Sequence, residues 1–192
     1  MNVYDFDKTI YAKDSTVEFY LYCVRRHPRI LLCAPRQIWG ILLHALGKID
    51  TTTMKSYFFS FLQKLRDTED LVLSFWKQNE KYIQPWYLER KAQTDVVISA
   101  SPSFLLEPIC AKLGIVTVIA TSVSVSTGKI SGKNCKGEEK VRKFYENYPN
   151  ASIHEFYSDS LSDTPLASLA EYAFLVKKGK LSIFPEKEKA KL

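Results

Sequence analysis

Two carboxylates, Asp5 and Asp7, close the first apolar run of the chain in Asp5-Phe6-Asp7-Lys8-Thr9. Residues two apart on an extended chain share a face, so both carboxylates can address one ligand at a strand end. Crowded acids invite a cation, since otherwise one of them is driven to protonate. Later stretches offer complementary groups. Val96-Val97-Ile98-Ser99-Ala100-Ser101 ends a β-branched run in a hydroxyl and turning N–H groups, a seat for a phosphoryl oxygen. Lys136, in Asn134-Cys135-Lys136-Gly137-Glu138-Glu139, supplies a mobile positive charge at a predicted helix start. Tyr157-Ser158-Asp159-Ser160-Leu161-Ser162-Asp163 adds two more carboxylates. Taken singly, each has a plainer reading as a turn acid, a helix cap or a solvated lysine. Their order along the chain is what carries the signal.

The elements that must position them are five short runs predicted as buried parallel strands: Asn2 to Tyr4, Asp95 to Ser99, Ile115 to Ala120, Ile153 to Tyr157 and Tyr172 to Val176. Helical patterns separate most of them, the signature of an α/β fold with an open, mainly parallel sheet and helices on both faces. Such sheets bind ligands at the carboxyl ends of their strands, where the acids fall. Ser122 to Ile130 alternates around Thr127-Gly128 and predicts a small hairpin on the edge of the core.

Residues 13–93 break the alternation and predict an inserted helical subdomain between core segments 1–12 and 94–186, with 187–192 a frayed charged tail. Asp14 and Ser15 cap a helix running to His27, and Pro28 breaks the chain before an apolar helix that Gly47 ends. Asp50-Thr51 starts a third helix, Asp67 a fourth reaching about Ile83, and Pro85 a short return helix.

This constellation resembles the phosphatases of the haloacid dehalogenase superfamily, in the branch (subfamily IB) that includes phosphoserine phosphatases. All four motifs match in order, the resemblance spans essentially the whole chain, and the insert sits where members with a cap of the first type carry theirs. It implies a phosphate-monoester hydrolase with Asp5 as nucleophile, forming an aspartyl phosphate, and Asp7 as general acid and base. It also implies Mg2+ held by Asp5, the carbonyl of Asp7 and Asp159, with Asp163 supporting that shell or the lysine, and Ser99, Ala100 and Lys136 on the transferring phosphoryl group.

The cap selects the substrate in such enzymes. Asp14 stands where phosphoserine phosphatases place a glutamate, the Ser-Leu-Arg pattern they carry is not found around Ser60 to Lys64, and Lys8 replaces the usual Gly or Ser. The expected substrate is therefore a small phosphorylated metabolite or a lipid phosphate, with Asp14 and Lys8 as candidate substrate contacts. Arg25, Arg26 and Arg29 precede the apolar Ile30 to Leu46, a segment similar to the cap of type C phosphatidylglycerophosphate phosphatases, as is Glu138-Glu139-Lys140-Val141. That segment is too interrupted to span a bilayer; it suits either a membrane interface or a buried face between helices.

Composition bounds the alternatives. The 192 residues are 46% hydrophobic, enough for a real core. The four cysteines, Cys23, Cys33, Cys110 and Cys135, lack metal or disulfide spacing, and no apolar leader precedes Asp5, so a cytoplasmic protein is expected, with peripheral contact at the inner membrane surface as an option. A net charge of +6 favours anionic partners, but no nucleic-acid recognition pattern accompanies it, and no obligate protein partner is expected. A phospho-receiver domain would not carry so large an insert after its first strand. A lipid-binding protein without turnover would not need both Asp5 and Asp7. A phosphotransferase or mutase differs from a hydrolase only in the acceptor of the phosphoryl group.

Overall fold

A computed structural model describes residues 1–185; the predicted charged tail 187–192 and the last core residue, 186, lie outside that range. Six strands form one sheet: β1 Asn2–Tyr4, β2 Val96–Pro102, β3 Thr117–Thr121, β4 Ile153–Ser158, β5 Ala170–Lys177 and β6 Lys180–Ile183. Their order is β3-β2-β1-β4-β5-β6, with every neighbour parallel except the antiparallel β5 and β6. This is the open α/β architecture expected from the sequence.

Alternation along the strands splits the core between the two sheet faces. Val3, Ile98 and Phe156 pack with Phe144 of α7 (Glu138–Asn147) and Leu166 of α8 (Thr164–Leu169) on one face. Tyr4, Val97 and Tyr157 face the other way, toward Leu105 and Ile109 of α6 (Ser103–Leu113) and an aromatic cluster from the insertion. Tyr4 and Tyr157 stack across β1 and β4 with ring centroids 4.8 Å apart.

Between β1 and β2 the chain forms α1 Ser15–Arg26, α2 Ala34–Ala45, α3 Thr51–Phe58, α4 Thr68–Asn79 and α5 Pro85–Arg90, with 3-10 turns between α1 and α2, α3 and α4, and α4 and α5. Asp14 and Asp50 cap α1 and α3 by accepting from Val17 N and Thr53 N. The single apolar helix expected after Pro28 is instead a 3-10 stretch, Pro28–Cys33, followed by α2. Pro35 explains the division, because it suits the first turn of a helix but cannot donate within one.

The Ser122 to Ile130 segment forms the small hairpin expected at the edge of the core: Val123 and Ile130 bridge, the Ser124 N–H donates to the Lys129 carbonyl at 2.8 Å and the Ser131 N–H to the Ser122 carbonyl at 2.9 Å. Gly128 there has φ +71°, and a Cβ would lie 2.2 Å from the Phe59 carbonyl oxygen. β6 was not anticipated: its short Lys-Leu-Ser-Ile run is largely exposed at the sheet edge and lacks a buried strand's apolar pattern. It is reached through Lys178 and Gly179, both with positive φ, as a two-residue hairpin requires.

Candidate functional site

The carboxyl ends of β1, β2 and β4 open into a cavity of about 360 Å³, lined by Asp5, Asp7, Lys8, Asp14, Ser99, Ala100, Lys136, Asp159 and Asp163. All the residues singled out from the sequence therefore meet at one place. Lys55, Thr51 and Met54 of α3 and Lys140 of α7 complete the wall.

Asp5 follows β1 directly, and its N–H donates to the Tyr157 carbonyl at 2.8 Å, extending the sheet pairing into the site. Lys140 Nζ lies 2.7 Å from Asp5 Oδ1 and 2.7 Å from Asp163 Oδ2, and all three residues are buried. Ser158 Oγ also donates to Asp163 Oδ2, at 2.7 Å. Burial works against the charge on Lys140, yet the Asp5 and Asp163 carboxylates hold its pKa above that of an ordinary lysine. Burial pushes Asp5 up to about 7; Lys140 pulls the other way, and Asp163 and Asp7 add to the rise.

Asp7 is oriented from two sides. Its Oδ1 accepts from the Ser15 N–H at 2.8 Å, the first residue of α1, and its Oδ2 accepts from Ser101 Oγ. Burial pushes Asp7 up to about 6, with Asp14 adding to the rise and the Ser101 and Ser15 hydrogen bonds opposing it. Ser99 is buried and its Oγ accepts from Ser101 N–H at 3.1 Å, which leaves the hydroxyl proton available to a ligand oxygen. Lys8, between the site acids and α1, takes a left-handed φ of +57°. Asp159 is half-buried; burial raises its pKa, and Lys8 and Lys177 oppose that rise.

Lys136 lines the cavity from its exposed rim, and α7 begins only at Glu138, so it precedes the helix it was expected to open. The buried ion pairs belong to Lys140, one helical turn further on. Spacing could not choose between the two lysines; the likeness at Glu138-Glu139-Lys140-Val141 was the signal that pointed to the second. Sequence reasoning also passed over Ser101 and Lys55. Lys55 Nζ donates to the Ala100 carbonyl and to Asn134 Oδ1, each at 2.8 Å, joining α3 to β2 and to the segment between β3 and α7.

The donor set fits a hard divalent cation. Five carboxylates line the cavity, and Asp163 Oδ1 is buried there without a hydrogen-bond partner. Among the described residues no three Asp, Glu, His or Cys side chains are grouped to hold a metal by themselves. A cation at Asp5 and Asp159 would thus draw further oxygens from the backbone and water, as Mg2+ commonly does.

The family model described as haloacid dehalogenase-like hydrolase matches residues 3–168. Protein CicA of Caulobacter vibrioides is 25% identical over 183 residues, covering 88% of this chain and 82% of that protein. Among solved structures, a Bordetella pertussis protein of unknown function superposes with a TM-score of 0.72 at 18% identity, covering 90% of this chain and 87% of the other. A phosphoserine phosphohydrolase-like protein from Francisella tularensis gives 0.56 at 17% identity, covering 90% and 86%. These structural likenesses concern the fold.

Proposed function

The chain belongs to the haloacid dehalogenase-like hydrolase family, and we propose that it is a magnesium-dependent phosphatase acting on a small phosphate monoester through an aspartyl phosphate on Asp5. The observation that carries this reading is the convergence of Asp5, Asp7, Ser99, Lys140 and Asp163 on one polar cavity at the sheet edge.

Asp5 Oδ1 is bonded to Lys140, leaving the other carboxylate oxygen to attack phosphorus. The P–O ester bond breaks as the new P–O bond to Asp5 forms, and Asp7 gives its proton to the departing alkoxide. Water then attacks the aspartyl phosphate, returns a proton to Asp7, and releases phosphate with the Asp5 carboxylate restored. Asp7 suits both tasks, since Ser15 and Ser101 fix its position and burial keeps protonation within reach of neutral pH. Ser99 and the N–H groups after β2 bind the equatorial oxygens, and Lys136 adds charge from the rim. Mg2+ held by Asp5, the Asp7 carbonyl and Asp159, with Asp163 and Lys140 supporting, would neutralise charge on the transferring group.

The residues lining the cavity are polar or charged except for Met54 and Ala100, so it suits a compact hydrophilic ester or head group better than an acyl chain. Asp14 is already engaged as the cap of α1, through Val17 N at 3.0 Å, which weakens it as an ammonium ligand. Phosphate release with Mg2+ from a panel of soluble phosphate esters tests the reading, with Asp5→Asn as the blank. Release that requires Asp5 and the cation supports it; equal release by Asp5→Asn would sink it.

A further inference from the structure

We infer that the outer face of α2 and the preceding 3-10 turn is a docking surface for an anionic lipid bilayer. Only the side of α2 carrying Gln37 and Gly40 is buried. A Cβ on Gly40 would lie 2.4 Å from Tyr57 Cβ, so α2 is pressed onto α3, whose residues line the catalytic cavity. The opposite side holds Ile38, Trp39, Ile41, Leu42 and Leu46, each more than half exposed or at half, and Leu32 of the turn is 77% exposed. At 100° per residue, Ile38, Trp39, Leu42 and Leu46 form one stripe. Contiguous apolar surface of this kind marks an interaction site, whereas isolated exposed leucines do not.

Charge identifies the occupant. From Phe19 to Ile49 the chain has five cations, Arg25, Arg26, Arg29, Arg36 and Lys48, and no carboxylate, against a formal net charge of +6 for the whole protein. A surface cavity of about 920 Å³ at the 3-10 turn that leads into α2 gathers Arg26, Arg29, Lys64 and Arg66, opposed by Asp67 and Asp70. The exposed Leu32 of that turn is part of its wall. Apolar side chains entering the head-group boundary, an exposed Trp at its level and arginines within reach of lipid phosphates are the features of a helix lying in a membrane interface. A second copy of the chain would bring the same five cations against one another. No helix among the described residues is long and apolar enough to cross a membrane, so attachment would be peripheral.

The surface stands apart from the catalytic residues, and its test does not depend on turnover. The full chain is sedimented with vesicles of phosphatidylcholine alone and of equimolar phosphatidylcholine and phosphatidylglycerol, at low and high salt. We expect the bound fraction to be about tenfold higher on anionic vesicles and to fall with salt. The triple variant Ile38→Ser, Trp39→Ser, Leu42→Ser and the charge variant Arg26→Gln, Arg29→Gln should each lose most of that binding while keeping the wild-type urea midpoint. Tryptophan emission should shift to the blue on binding and not in the triple variant, because Trp39 is exposed whereas Trp76 is buried and Trp86 half-buried. Equal binding to neutral and anionic vesicles, or anionic binding untouched by the triple variant, would overturn the proposal. So would a monomer with no vesicle binding, which would point to an acidic protein partner. A dimer in solution that the triple variant abolishes, with no vesicle binding, would instead make the face self-associating.

Discussion

Lys140 and Asp5 meet at 2.7 Å in the floor of the cavity although 135 residues separate them in the chain. The pairing fixes one oxygen of Asp5 and, through Asp163 at 2.7 Å, ties the helix after β3 to the loop after β4. Removing the ammonium leaves two buried carboxylates facing each other unpaired, which costs more than the loss of a hydrogen bond. Lys140→Met is expected to lower kcat by at least about a hundredfold and to destabilise the metal-free protein by about 3 kcal/mol. Lys136→Met, on the rim, should chiefly raise KM, by about tenfold, with the urea midpoint unchanged. Steady-state kinetics on both variants distinguish the two lysines; the reverse ranking would return the principal role to Lys136.

In the proposed mechanism Ser101 would act on the reaction through Asp7. Its hydroxyl donates to Asp7 Oδ2 while the Ser15 N–H holds Oδ1, so the carboxyl group cannot swing freely. Ser101→Ala removes one of the two restraints and leaves the other. The expected outcome is a kcat reduced about tenfold with KM nearly unchanged, because orientation of a proton donor matters most at the transition state. A KM effect of the same size, with kcat intact, would place Ser101 in substrate binding instead.

Gly128 ties the loop after β3 to the insertion. Its φ of +71° is one that L side chains disfavour, and the Phe59 carbonyl occupies the place a Cβ would take. Gln63 Nε2 donates to the Thr127 carbonyl at 2.7 Å in the same contact. Gly128→Ala is expected to destabilise the fold by about 3 kcal/mol, from combined backbone strain and overpacking. Urea denaturation measures this; an unchanged midpoint would show that the loop can move aside without loss.

The sheet and the acidic edge that forms the candidate site were legible because buried parallel strands are short apolar runs and most of the candidate residues follow them closely. Asp5 and Asp159 each lie just past a strand end, and Ser99 lies within β2 where its regular pairing with β3 breaks after Ile98. What the sequence hid is what depends on approach in three dimensions. Lys136 and Lys140 are one helical turn apart, and only the packing of α7 against β2 and α8 decides which reaches Asp5. Lys55 lies in an aromatic-rich helix whose contact with Ala100 spans 45 positions, beyond any local pattern. β6 is an exposed edge strand, and its hairpin rests on the positive φ of Lys178 as well as Gly179. The apolar stretch Ile30 to Leu46 suited two environments equally by composition, and the structure exposes its outer side.

Lys55 carries the last prediction, because it is a charge held where a charge is costly. Burial pushes its pKa down to about 8 from 10.5; Asp7 and Asp14 oppose that fall and Lys136 adds to it. Below pH 8 both folded and unfolded chains carry the proton, and the cost of burying the ammonium is present in full. Between about 8 and 10.5 the folded chain gives up the proton first, so the unfolded chain binds more protons and stability rises with pH. Thr121 Oγ1 lies 3.0 Å from the Ala100 carbonyl and 3.2 Å from Asn134 Oδ1, the two acceptors of Lys55, and its single proton can take the ammonium's place at one of them. Lys55→Met should raise stability at pH 7 by about 1 kcal/mol, the relief of burying a charge less the cost of one unsatisfied acceptor, an advantage over the wild type that shrinks through that window as the wild type catches up. It should at the same time lower kcat/KM, since the ammonium joins α3 to the cavity wall beside Asp7. Urea titrations at pH 7 and pH 10, in chelator, give the comparison. A variant less stable than the wild type at pH 7 would show that the two hydrogen bonds outweigh the cost of burying the charge.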